Sequence, residues 1–206
     1  GTPIDLLVCN AGVYIGRGRI GETAFPPEAW AETFAVNVAG VFLTVEALRP
    51  LLPRGARVAV VSSRMGSSAQ AKGGSYVYRA SKAAATNLAV NLARDLAPDG
   101  IAVASYHPGW VRTDMGGGGA DLSVAESAAG LLARFDALGP DTAGAFEGHD
   151  GTPIPFCASA PDPKSALGRI AGRALRRFRP WPRGAPGRRR CGAARRPTCR
   201  RPRRRR

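Results

Sequence analysis

A chain of 206 residues with a formal net charge of +15 has the length of one ordinary globular domain, and its mean charge alone would suggest an anion-binding protein. The mean hides a step: residues 1–156 hold 12 Lys+Arg against 14 Asp+Glu, a net of −2, while residues 157–206 hold 18 against 1, a net of +17. Charge therefore gives no ground for a nucleic-acid-binding fold in the first three quarters, and any argument from charge to partners belongs to the last quarter.

Cys9, Cys157, Cys191 and Cys199 form no CxxC pair and no zinc spacing with His107 and His149, so free thiols in a reducing, cytoplasmic setting and no metal site are expected. No stretch approaches the roughly 18 apolar residues of a membrane span. The start, Gly1-Thr2-Pro3-Ile4-Asp5, has neither the charged nor the apolar region of a signal peptide, and no initiator Met, as expected of a processed or incomplete chain.

Ile4 to Cys9 is a short apolar run ending at Asn10-Ala11-Gly12, which predicts a buried strand and a turn. Pro26-Pro27-Glu28 opens a long helical pattern reaching about Leu52, closed by Pro53 and Gly55. Ala56 to Val61 predicts a second strand, ending at Ser62-Ser63. A second long helix, rich in Ala and Leu, starts at Ser75 or Tyr76 and ends near Pro98-Asp99-Gly100. Ile101 to Tyr106 predicts a third strand, ending at His107-Pro108-Gly109. Gly116 to Gly119 predicts a flexible run, Ser123 to Leu138 a shorter helix, and Phe146 to Phe156 a last strand.

The order β-α-β-α-β-α-β, with strands apolar throughout, predicts a doubly wound, Rossmann-like α/β fold: a parallel sheet covered by helices on both faces. Right-handed crossovers align the strand carboxyl ends along one edge, where open α/β sheets bind ligands. Three polar turns, Asn10-Ala11-Gly12, Ser62-Ser63 and His107-Pro108-Gly109, fall on that edge.

Tyr78 and Lys82, four residues apart on a helix, share one face about 6 Å apart along its axis. A nearby cation favours phenolate, which lowers a pKa that is otherwise about 10 and suits Tyr78 to acid/base work. Carbonyl reduction needs such a group, because the alkoxide formed by hydride transfer must take a proton. By itself the pair reads rather as a solvated helix face.

In order and spacing the sequence resembles the short-chain dehydrogenase/reductase family. The matching features are Asn10-Ala11-Gly12, Asn37-Val38-Ala39-Gly40, Ser62-Ser63 before Tyr78-x-x-x-Lys82, and Pro108-Gly109-Trp110-Val111-Arg112-Thr113. The runs from His107 to Gly117 and from Asp150 to Pro155 look most like its C-factor and sniffer-type carbonyl reductase branch. The resemblance covers residues 1–156 and implies NAD(P) as cofactor, NADP being favoured, and a small-molecule carbonyl or alcohol substrate; it allows a homo-oligomer.

By that resemblance Tyr78 is the proton donor in reduction, Lys82 lowers its pKa and holds the nicotinamide ribose, and Ser63, or its neighbour Ser62, bonds the substrate oxygen. Asn37 fixes a water linking Lys82 to solvent; its alternative is a polar residue capping or kinking a helix. Asn10, Ala11 and Gly12 border the adenosine side, with Gly12 either admitting the backbone to the cofactor or simply serving the turn. Pro108, Gly109, Val111 and Thr113 belong to the cofactor side; Thr113 meets the carboxamide or phosphates, or caps a helix. Cys9 and His107 read as packing and turn residues. One departure stands out: no Gly-x-x-x-Gly-x-Gly precedes Asn10, so the family's phosphate-cradling loop and about the first third of its fold are expected to be missing. That departure keeps a non-catalytic fragment as the alternative function.

Residues 157–206 are dominated by Arg, Pro, Gly and Ala, with Lys164 as their only lysine, a composition expected to stay disordered. Leu167, Ile170, Ala171, Ala174, Leu175 and Phe178 recur at helical spacing amid arginines. A nucleic-acid-binding arm, a membrane-surface or partner helix, and a translation of GC-rich sequence outside its reading frame all fit; the near absence of lysine favours the last.

Overall fold

The computed structural model describes residues 1–157; the expected disorder and anion binding of the basic tail lie outside the described residues. Four short runs form one parallel sheet in sequence order: β1 (Leu6–Cys9), β2 (Arg57–Val61), β3 (Ala102–His107) and β4 (Phe146–Gly148). The helices are α1 (Pro27–Phe34), α2 (Gly40–Leu48), α3 (Tyr76–Leu96) and α4 (Val124–Asp136).

Alternate residues of the strands point to opposite faces, and each face has its own core. Leu7, Cys9, Val58, Val60 and Val103 pack with Val41 and Val45 of α2 and Ala85, Ala89 and Leu92 of α3. Ala59, Ala102, Ala104 and Tyr106 pack on the other side with Phe135 of α4 and Leu138. Helices thus cover both faces, as the sequence pattern requires. Parallel strands joined by crossovers bring the ends of β1, β2 and β3 to one edge, which sets up the site.

Two expectations are corrected. The last strand, expected from Phe146 to Phe156, stops at Gly148. There Gly148 accepts the amide of Gly151, and the chain turns back so that Glu147 bridges Pro153 antiparallel. The single helix expected from Pro26 to Leu52 is four segments: α1, a π turn over Ala35–Ala39, α2 and a 3-10 turn over Arg49–Leu51. Contrary to the absence of any span read from the sequence, the composite helix from Pro27 to Leu51 is long and apolar enough, by length and composition only, to cross a membrane. Its Val41 and Val45 nevertheless lie in the domain core.

Candidate active site

Helix α3 carries both candidate acid/base residues into the interior: Tyr78 and Lys82 are 7% and 4% exposed. Small residues permit this. Ala85 and Ala89 let α3 lie close on the sheet. At Gly66, in the turn after β2, a Cβ would sit 2.6 Å from the carbonyl carbon of Lys82, so only glycine lets that turn touch the helix backbone there. The helix begins after Ser75, the only non-glycine residue with positive φ among those described (φ 49°). Such a conformation persists only when its surroundings impose it. Here Ser75 donates its amide to Gly18 O at 2.7 Å, and its hydroxyl pairs with that of Tyr14 at 2.6 Å.

The two serines that close β2 separate cleanly. Ser62 is turned inward, its hydroxyl bonded to Lys82 O at 3.1 Å and to Thr86 Oγ1 at 2.7 Å. Ser63 accepts the Met65 amide at 3.2 Å, and its side chain hydrogen-bonds Tyr78 in the sense that favours phenolate. Ser63, not Ser62, faces the phenol.

The electrostatics differ from the sequence expectation. Burial raises the pKa of Tyr78, outweighing the Ser63 bond, with a further rise from Tyr14. Burial also lowers that of Lys82 to about 8. The Lys82 ammonium lies 5.8 Å from the Tyr78 ring centre and donates to Val61 O at 2.9 Å. In this state desolvation of both groups, not their mutual attraction, sets the balance and pushes the pair toward neutral phenol and neutral amine. A neutral phenol is the form that can give a proton.

Asn37 is 1% exposed within the π turn. Its carbonyl accepts the Val13 amide at 2.8 Å; its NH2 donates to Val13 O at 3.0 Å and to Ser81 Oγ at 2.9 Å. It therefore ties the turn after β1 to α3, beside Tyr78 and Lys82. A Cβ on Gly12 would stand 3.2 Å from Lys82 Nζ and 3.4 Å from Asn37 Oδ1; glycine there keeps the space over the ammonium clear. Asn10 and Ala11 are exposed and line a groove of about 430 Å³ with Val8, Ala35, Val36 and Thr44, alongside β1.

The third turn is more open. The Pro108 carbonyl accepts the Ser127 hydroxyl at 2.7 Å, and Gly109 has φ 88°, a conformation glycine adopts without strain. Val111 bridges Leu122, and Thr113 Oγ1 accepts the Gly116 amide at 3.1 Å. The fold thus brings Ser63, Tyr78, Lys82, Gly12 and Asn37 together, whereas Pro108, Gly109, Val111 and Thr113 share the sheet edge without bonding to them. The Thr113 hydroxyl caps an amide within a turn, with no helix beginning there. His107 is buried, accepts from Arg64 Nε at 2.8 Å, and is held neutral with a pKa lowered to about 4 by burial and by Arg64. Cys9 is a buried free thiol, and no metal-binding cluster occurs among the described residues.

Sequence reasoning missed Tyr14. Its ring stacks on Tyr78 with centroids 4.2 Å apart and planes 25° from parallel. An aromatic residue two positions beyond Gly12, in a turn on the ligand-binding edge, was the available signal.

The chain belongs to the short-chain dehydrogenase family, whose short chain dehydrogenase model matches residues 2–120. It is 41% identical over 157 residues to the C-signal of Myxococcus xanthus, covering 75% of this chain and 93% of that protein. Its structure is similar to the carbonyl reductase Sniffer of D. melanogaster (TM-score 0.70, 32% identity, 75% of this chain and 67% of that one). It is also similar to an NADPH-bound carbonyl reductase from chicken fatty liver (TM-score 0.69, 28% identity, 76% and 67%). The chain thus spans about two thirds of these solved reductases.

Proposed function

We propose that this chain carries the proton-transfer half of a carbonyl reductase that uses NADP(H), interconverting a small carbonyl compound and its alcohol. The observation that carries the reading is the burial of Ser63, Tyr78 and Lys82 as one contiguous set at the carboxyl edge of a parallel sheet. The residues fit the nicotinamide end of the cofactor: Lys82 uses one N–H on Val61 and has two more, and Gly12 leaves the space over it clear. The NADPH bound to the chicken reductase favours NADP over NAD. When bound, the reduced nicotinamide supplies the hydride.

The protein's own part begins with Ser63, whose hydroxyl orients the carbonyl oxygen toward Tyr78. Neutral Tyr78 gives its phenolic proton to that oxygen as negative charge develops. Lys82 stabilises the resulting phenolate and would hold the nicotinamide ribose; Asn37 fixes the Val13 turn and Ser81 around them. In oxidation Tyr78 acts as the base. The free thiol of Cys9 agrees with a reducing, cytoplasmic setting.

The test is NADPH oxidation driven by carbonyl compounds. Tyr78→Phe should reduce turnover about 10²- to 10⁴-fold while nucleotide binding survives, and Lys82→Met should damage both. Most of the activity surviving in Tyr78→Phe would overturn the assignment.

The match to 93% of the C-signal supports a second reading, in which the chain is a non-catalytic family member acting as a signal. In that case calorimetry shows no NADPH binding tighter than about millimolar, and Tyr78→Phe leaves the biological effect intact.

A further inference from the structure

Tyr14 belongs to a continuous chain of contacts that leads outward from the catalytic phenol. One face of its ring lies against Tyr78, and its hydroxyl is fixed by Ser75. The guanidinium of Arg17 sits over the same ring, its carbon 4.5 Å from the centroid. One Arg17 nitrogen donates to Met115 O at 2.7 Å, which ties the loop after β1 to the loop after β3. In that second loop Trp110 donates its indole N–H to Gly116 O at 2.8 Å, and Trp110 and Met115 are half and more than a third exposed.

The chemistry of Arg17 is unfinished. A guanidinium has five N–H donors in a planar fork; here one hydrogen bond is made, to a neutral backbone carbonyl, and the residue is exposed. Among the described residues it forms no salt bridge: the three present join Arg49 to Asp99, Arg57 to Asp136 and Arg112 to Glu126. An anionic oxygen pair is a better acceptor for that fork than the Met115 carbonyl, because charge-assisted, bidentate bonds are roughly twice as strong as neutral ones. Arg17 and Tyr78 both contact the Tyr14 ring, so the cation stands at most two ring-stack spacings from Tyr78, within the span of one flat substrate frame, and the adjoining Tyr14, Trp110 and Met115 offer apolar surface to such a frame.

We propose that Tyr14 and Arg17 form the substrate-recognition site, and that the substrates are carbonyl compounds bearing a carboxylate or comparable anion on a flat, apolar frame. The inference rests on the carbonyl-reductase reading and names its substrate class. The reacting carbonyl lies at Ser63 and Tyr78, the frame against the exposed part of the Tyr14 ring, and the anion on Arg17, where it competes with the Met115 carbonyl.

The test is binding, so that it stands apart from turnover. Para-formylbenzoate and its methyl ester, equal in frame and carbonyl and differing in charge, are titrated against the full chain by saturation-transfer NMR. Wild type should prefer the carboxylate by about tenfold, as expected for one well-made charge-assisted contact. Arg17→Gln should abolish that preference and leave the ester unchanged. Arg19→Gln, an equally exposed change on the same loop, should preserve it. Tyr14→Leu should weaken both ligands, and Tyr14→Phe, which keeps the ring, should weaken neither by more than about twofold. The arginine-rich tail attracts carboxylates alike in every variant, so comparison between variants removes its contribution. Equal binding of acid and ester in wild type, or an undiminished preference in Arg17→Gln, would overturn the proposal. Absence of NADPH-dependent reduction with either aldehyde would instead tell against the reductase reading and leave the binding result standing.

Discussion

Asn37, Ser63, Tyr78 and Lys82 are each at most 7% exposed, and every one has partners on another element. Arg17, Thr113 and Trp110, by contrast, are exposed, and Trp110 and Thr113 bond within their own loop. The floor of the site is held by long-range packing on α3 and the strand ends, and the rim by short-range backbone bonds. Under the proposed function the difference is a division of labour: proton transfer needs fixed distances and low dielectric, while recognition tolerates change on exposed loops supported by a rigid scaffold. Alterations of the floor should therefore cost both stability and chemistry, and alterations of the rim should change selectivity with little effect on the fold.

The sharpest way to break this contrast is at Gly66. A Cβ there meets backbone, which cannot rotate aside, so Gly66→Ala should destabilise the domain by about 1–3 kcal/mol and displace Ser63 from Tyr78. Urea denaturation reads the first effect and NADPH oxidation the second. An unchanged midpoint would mean that the floor is softer than its packing implies.

An intermediate effect is expected where floor and rim join, at the bond from Arg64, next to Ser63, to His107, next to Pro108. His107 is faced by Arg64, His149 and Asp150, and its pKa falls from 6.5 to about 4 on folding. Between those values the unfolded chain holds more protons than the folded one, so stability is full above about pH 6.5 and is lost as pH falls toward 4. The contribution is at most about 3 kcal/mol. Denaturation midpoints across this window should decline in wild type and decline less in His107→Asn. Parallel declines would remove His107 as the cause.

The smallest effect belongs to the rim. Thr113→Ala removes one exposed amide cap, and its stability cost should stay within about 0.5 kcal/mol, measured by thermal unfolding. A larger loss would show that the loop after β3 is part of the core structure.

Much of this architecture was legible in the sequence, for identifiable reasons. Strand order, the covered sheet and the convergence of three polar turns follow from apolar runs ending in polar residues. What stayed hidden depended on distant partners. Ser62 and Ser63 are equivalent in sequence; the contact of Ser62 with Thr86, 24 residues away, tells them apart. The sign of the Tyr78 shift was misread because four-residue spacing reveals a neighbouring cation but not the burial of both groups. Tyr14 escaped because its stacking partner is 64 residues further along the chain. The expected last strand ran past Gly148 because its sequence does not show the turn that ends it.

The π turn at Ala35–Ala39 acts as a phase corrector. Ala29, Thr33, Asn37, Val41 and Val45 are all buried and recur every four residues. In an α-helix of 3.6 residues per turn, each such step advances about 40° around the axis, so the five would spiral off the core face by the far end. A π turn takes more residues per revolution and rotates each one less, which winds the stripe back midway. One helix can therefore keep α1 against α3 and α2 against β1, with the polar member of the stripe, Asn37, at the point where the winding changes.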